Sequence, residues 1–357
     1  MIEEKGYALA LCLSGGNALA SWQAGAWEAL AARGYAPDRV VGASAGAVNG
    51  AIIAGSSPDR AVERLRRFWS PAGVDAAGWW PAEVDAWRRS FAATATLAGG
   101  RADVFGWRPF AGQPWARDGG PSPSLYDTHP LTATLAELVD WDRVADGPTR
   151  LSIAAVDLET GADVVFDGER ERLGPDHVRA STALIPAFPP VRIGGRWLVD
   201  PGLSANLPLD AVLAEPGDRP LLIIALDLLP LAAPRPETLG ETAGRLQDLV
   251  FAAQTRRTVD AWRAVYALHG EAAPAVTLAR LSYADQSREV AGKAFDFSPE
   301  TAAERWIDGR RTADAFLDRL EAGAIEIGRP GLALYQGAER AALDQGTFRI
   351  RRAGKAG

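Results

Sequence analysis

From Ala8 to Leu13 the chain reads ALALCL, an apolar run without a polar break that closes on Ser14, Gly15 and Gly16. A run this short, wholly apolar and ended by glycines predicts a strand covered on both faces. Past the glycines, Trp22, Ala26, Ala29, Leu30 and Arg33 follow helical spacing from Ser21, and Gly34 supplies the stop. The unit then repeats, with Arg39 to Gly42 as a short strand and Ala45 to Ala54 as a helix of small residues. Successive strand–helix units predict a parallel sheet with right-handed crossovers. The loops Ser14–Ala20 and Ala43–Gly46 would open together beyond the carboxyl ends of its strands, where such sheets bind ligands.

The pattern weakens between Ser70 and Ser124. Trp79, Trp80, Trp87, Trp107 and Trp115 lie there among Pro and Gly with no sustained period. This predicts an insertion over 70–124, with two readings open: a lid beside the site, or indoles packing a small core of their own. Periodicity returns with a helix opening near Pro130, then two β-rich segments turning at Thr160-Gly161 and Gly194-Gly195. Pro220 to Leu228 reads as another buried strand. Glu241 to Leu268 predicts a long amphipathic helix with Leu246, Leu249, Val250 and Ala253 on one face. Ser298-Pro-Glu opens the last large helix, and the tail RIRRAGKAG reads as frayed. The expected architecture is α/β: three α/β/α layers around a mostly parallel sheet, with a helical C-terminal part. One domain is expected over 1–330, and 331–357 as a C-terminal extension with a flexible tail.

Composition narrows the function classes. With 357 residues, 47% hydrophobic and 23% charged, the chain can bury a sizeable core. Its net charge is −7, and Lys5, Lys293 and Lys355 are the only lysines, so no polybasic patch points to nucleic acid. Cys12, the one cysteine, excludes an internal disulfide framework. The acidic start does not fit a secretory signal, and no segment reaches the ~20 apolar residues of a bilayer span. A cytoplasmic protein is expected, with peripheral membrane contact left open. The oligomeric state is not legible.

The candidate chemistry starts at VVGASAGAVNG. Gly42, Ala43, Ser44, Ala45 and Gly46 form G-x-S-x-G between a buried strand and a helix, the context that presents a nucleophilic serine on a sharp elbow. The glycine pair in SGGNALAS can turn backbone N–H groups toward an anion. It lacks the G-x-G-x-x-G pattern and the P-loop lysine, so an oxyanion hole fits better than a nucleotide site. A base is less obvious. His129, His177 and His269 are the only histidines, and none sits in a segment that marks a base. Asp200 ends the apolar strand Trp197–Val199 just before Pro201-Gly202. There it either caps a tight turn or, if it meets Ser44 in a buried place, acquires a raised pKa suited to a general base.

With these segments in this order, the sequence resembles the patatin-like phospholipase family, in a bacterial branch. LSGGNALASWQAGAWEAL is similar to the family's glycine-rich oxyanion loop, VGASAGAVNGA to its serine elbow, and ASTALIPAFPPVRIGGRWLVDPGLSANLPL to the segment around its aspartate. The resemblance implies a Ser–Asp dyad without histidine. Ser44 would attack an ester carbonyl and Asp200 would accept its proton. Gly15, Gly16 and Asn17 would supply oxyanion N–H groups, and no metal or cofactor would be needed. It implies an acyl lipid or ester as substrate. Asn17, Leu19, Ala20 and Pro201 depart from the family pattern. Asn17 stands at a usual glycine, Leu19 at a frequent Arg or Lys, Ala20 at another glycine, and Pro201 at the glycine after the aspartate. Two alternatives remain: a Ser-His-Asp triad using His177 or His269, and a lipid-binding or regulatory protein on a decayed hydrolase scaffold.

Overall fold

A computed structural model describes residues 6–70, 81–108 and 124–336. The chain opens with β1 (Ala8–Leu13), α1 (Ser21–Ala32), β2 (Arg39–Gly42), α2 (Ala45–Ala54) and α3 (Pro58–Trp69). Next come α4 (Ala82–Gly99), β3 (Gly100–Arg101), β4 (Phe105–Trp107), β5 (Tyr126–Asp127), α5 (His129–Leu138) and α6 (Trp141–Asp146). They are followed by β6 (Arg150–Asp157), β7 (Asp163–Asp167), α7 (Pro175–Ser181), β8 (Val191–Ile193), β9 (Arg196–Val199) and α8 (Asp210–Leu213). The chain continues through β10 (Leu221–Asp227), α9 (Leu239–Ala267), β11 (Ala275–Ser282), α10 (Pro299–Glu321) and β12 (Gly331–Gln336).

The main sheet runs β12-β11-β10-β1-β2-β6-β9-β8, with β7 paired on β6. From β12 to β6 every neighbour is parallel, and β7, β8 and β9 add antiparallel pairs. This is the expected mixed α/β architecture, a mostly parallel sheet flanked by helices. Alternation along β1 explains the layers: Leu9, Leu11 and Leu13 enter one core with Trp22 and Ile52, whereas Ala10 and Cys12 enter the other with Val212 and Val259. Cys12 is fully buried, and burial pushes its thiol up to about 12. The chain builds outward from β1 to β2 and β6, then returns to place β10 on the opposite side of β1. The order of the strands therefore reverses at β1, the position where a crevice forms at the sheet's carboxyl edge.

Three features differ from the sequence expectation. The aperiodic stretch contains an ordered helix, α4, whose inward face is Asp85, Arg89 and Ala93. Its buried face is held by ion pairs, so the hydrophobic pattern carries no trace of it. Arg89 bonds Asp85 at 3.0 Å and pairs with Glu304 of α10. The tryptophans at 79, 80 and 115 lie outside the described residues, while Trp87 and Trp107 are exposed. The second difference is at the C-terminal end, where residues 331–336 form an edge strand parallel to β11, so the sheet continues past position 330. Residues 337–357 lie outside the described part. Third, the apolar stripe of the amphipathic helix α9 is not its packed face: Leu246, Leu249 and Val250 face outward, and Asp248, Ala252, Thr255 and Val259 face inward.

Candidate active site

Ser44 stands between β2 and α2 with φ 53° and ψ −125°, left-handed geometry that costs a non-glycine residue about 1–3 kcal/mol. The two glycines of the motif make the turn sterically feasible. A Cβ on Gly42 would lie 2.5 Å from the Gly46 carbonyl oxygen, and one on Gly46 would lie 2.4 Å from that of Leu13. Ser44 is half-buried and projects into an apolar-walled cavity, to which Phe68, Trp69, Phe105 and Phe251 contribute rings. Arg101 is the one cation lining it among the described residues, and burial lowers its guanidinium to about 10.

Asp200 faces the same cavity from the end of β9 and is itself buried. Its carboxylate accepts the Gly202 N–H at 2.8 Å, and the Ser44 side chain lies beside it and favours its charged form. Burial is the dominant influence and raises its pKa to about 6, against the opposing pull of Ser44 and the Gly202 N–H. Pro201 occupies the first position of a short 3₁₀ turn, where an N–H would have no partner and a fixed φ is an advantage. The departure at Pro201 is thus compatible with the turn, because Gly202 supplies the donor that Asp200 needs.

The glycine loop after β1 is organised differently from the sequence expectation. The Gly15 N–H is already bonded to the Asn206 carbonyl at 2.9 Å, so it does not point at the cavity as an oxyanion donor. Gly15 instead allows close approach: a Cβ there would lie 3.0 Å from Ser44 Cβ and 2.6 Å from Asn206 Oδ1. Gly16 and Asn17 line the cavity, and their amides have no backbone partner among the described residues. Asn17 adopts φ 52°, the left-handed geometry that asparagine tolerates. Ala45, also at the cavity, offers a third such amide at the start of α2. It follows directly from the elbow rule, in which the residue after the nucleophile donates. Leu19 and Ala20 are buried in the core, where a charged side chain would be stranded.

Several supporting residues carry no local sequence signal. Ser181, the last residue of α7, is fully buried, and its Oγ accepts the Ser44 N–H at 2.9 Å. Two residues later, the Ala183 carbonyl accepts the Asp200 N–H at 3.1 Å. One short segment therefore grips the backbones of both Ser44 and Asp200. Asn206 Nδ2 donates to the Gly15 carbonyl at 3.2 Å. Gln254 of α9 accepts from the Asn206 N–H at 2.9 Å and donates to the Gly202 carbonyl at 3.0 Å, tying the glycine loop, the aspartate turn and α9 together.

No histidine lines this cavity. His129 is exposed and pairs with Asp127, His269 is exposed beyond α9, and His177 Nδ1 accepts the Gly174 N–H while its ring packs on Phe166.

A model of patatin-like phospholipase matches residues 11–213, more than half of the chain and the whole path from β1 through the Ser44 elbow to the Asp200 turn. The chain belongs to this family. No curated protein matches this patatin-like chain. Among solved structures, it is similar to VipD from Legionella pneumophila, at 13% identity and a TM-score of 0.43, over 91% of this chain and 68% of that one. It is also similar to the type III effector protein ExoU, at 14% identity and a TM-score of 0.33, over 90% of this chain and 54% of that one. Among the described residues of the patatin-like chain, no helix is long and apolar enough to cross a membrane.

Proposed function

We propose that the protein is a serine acyl hydrolase that cleaves an ester of an acyl lipid through a Ser44–Asp200 dyad. The observation that carries this reading is the strained Ser44 hydroxyl set against a buried carboxylate, in a cavity with apolar walls and no histidine. Ser44 Oγ attacks the ester carbonyl carbon as its proton passes to Asp200. The carbonyl oxygen becomes an oxyanion facing the amides of Gly16, Asn17 and Ala45, each worth ~3 kcal/mol of transition-state stabilisation when well placed. Collapse breaks the bond to the alcohol, which leaves with the proton held by Asp200. Water then attacks the acyl-enzyme, giving its proton to Asp200, and the fatty acid departs as Ser44 regains a proton. The apolar walls suit the acyl chain and exclude bulk water. The positions of the histidines count against the triad.

Wild-type protein is expected to hydrolyse p-nitrophenyl acyl esters, and Ser44→Ala or Asp200→Asn to lower kcat by at least about a thousandfold. A fluorophosphonate adduct should map to Ser44. Full turnover by either variant would refute the dyad, and absence of both labelling and turnover in the wild type would favour the decayed-scaffold alternative.

A further inference from the structure

The helix α9 is apolar on the outside as well as the inside. Its inner face packs Ala252, Val259 and Tyr266 and also holds the site: Asp248 accepts from Lys293 Nζ at 2.7 Å, and Gln254 bridges Asn206 and Gly202. Its outer face carries the stripe that would ordinarily be buried, with Leu246 64%, Leu249 43% and Val250 50% exposed. Leu203, in the turn that Gln254 holds, is exposed as well. Across the Ala291–Gly292 loop, α4 presents a stacked Trp87–Phe91 pair, 69% and 62% exposed, with ring centroids 5.5 Å apart. That loop touches both helices: a Cβ on Gly240 would lie 2.9 Å from Ala291 Cβ, and one on Gly292 would lie 3.5 Å from Ala93 Cβ. From Ser90 to Gly99, α4 contains no charged residue.

We infer that the outward stripe of α9, Leu203 and the Trp87–Phe91 pair form one face that docks on a phospholipid surface. The inference rests on the lipid-ester reading. Three observations select this occupant. The same turns of α9 that carry the stripe put Gln247 and Phe251 into the cavity wall, so the stripe lies on the helix that also borders the lipid-binding space. An exposed, stacked tryptophan and phenylalanine suit the boundary between head groups and acyl chains. Two turns beyond the stripe, Arg256 and Arg257 are exposed and make no ion pair among the described residues, which suits head-group phosphates. A buried stripe of this kind adds affinity in proportion to its apolar area, and the arginine pair adds a salt-sensitive part.

The test uses vesicles of ether-linked phosphatidylcholine, with or without ether-linked phosphatidylglycerol, which a carboxylic ester hydrolase cannot consume. Wild-type protein should co-sediment with both, more strongly with the anionic mixture. The Leu246→Gln/Leu249→Gln/Val250→Gln variant should partition at least about tenfold more weakly. It should retain its unfolding midpoint and its turnover of soluble p-nitrophenyl butyrate, because exposed substitutions of this type shift stability by only about 0.5 kcal/mol. Arg256→Gln/Arg257→Gln should lose the preference for anionic vesicles. Unaltered partition of the triple variant overturns the inference. So does a wild-type dimer that the triple variant dissociates while vesicle binding persists, since the stripe would then serve a second copy. Vesicle binding without p-nitrophenyl turnover by the wild type would instead count against the hydrolase reading alone.

Discussion

Ser44 and Asp200 arrive from distant parts of the chain, yet their separation is set by Ser181 and Ala183, two residues apart in sequence. Ser181→Ala would leave the buried Ser44 N–H without its acceptor and loosen the elbow. Losing such a bond costs about 1–3 kcal/mol, so kcat and the rate of fluorophosphonate labelling should fall roughly 5- to 100-fold while KM changes little. Ser181→Thr should restore much of the rate, which distinguishes positioning from a general loss of packing. The state of Asp200 gives a second prediction at this scale. The base must be ionised to accept a proton, so kcat/KM should rise with pH through about 6 and level off above it. Stability moves the other way. Its folded pKa of about 6 lies above the ordinary 3.8, so the group's stabilising contribution is complete below 3.8 and is lost as pH rises through 6. Asp200→Asn should therefore abolish turnover and, at pH 8, raise unfolding stability by about 1–3 kcal/mol, measured by denaturant melts.

At the scale of elements, α1 and α10 cross so closely that a Cβ on Gly309 would lie 1.9 Å from the Trp22 carbonyl oxygen, and one on Gly25 equally close to that of Trp306. Gly309→Ala must push the helices apart, and a loss of roughly 1–3 kcal/mol or more in denaturant melts is expected. Which elements were legible in the sequence follows from how each buries its face. The strands β1, β2 and β10 announce themselves because both faces of each meet a core and their residues are apolar throughout. The elbow and Asp200 were legible because Gly42, Gly46 and the strand ends are local requirements. By contrast, α4 is hidden from sequence because Asp85 and Arg89 are buried by charge pairing, and periodicity groups the stripe of α9 on one face without telling which face meets the core. The supporting roles of Ser181 and Asn206 come from single hydrogen bonds between distant positions, as does the engagement of the Gly15 amide by a carbonyl 191 residues away. No local pattern encodes those.

Over the whole molecule, long-range closure dominates. The first strand lies between β2 and β10, and α1 is covered by α10, where Trp22 Nε1 donates to Asp308 at 2.8 Å. Fully buried Arg305 donates to the Ala18 carbonyl at 3.0 Å, in the glycine loop itself, and to both oxygens of Glu289 at 2.8 Å. Burial alone would raise the Glu289 carboxyl, but Arg305 and Arg89 outweigh it and bring it down to about 2. Parallel pairings between such distant segments form late, because their loop-closure entropy comes before any contact rewards it. This has a consequence for the chain as it is made. The glycine loop follows the first strand, but its anchor is Arg305, and the edge of β1 stays unpaired until β10 has emerged. A growing chain carries Ser44 long before it has the parts that hold the loop and cover the sheet. The cavity takes its final shape only once α10 has been made.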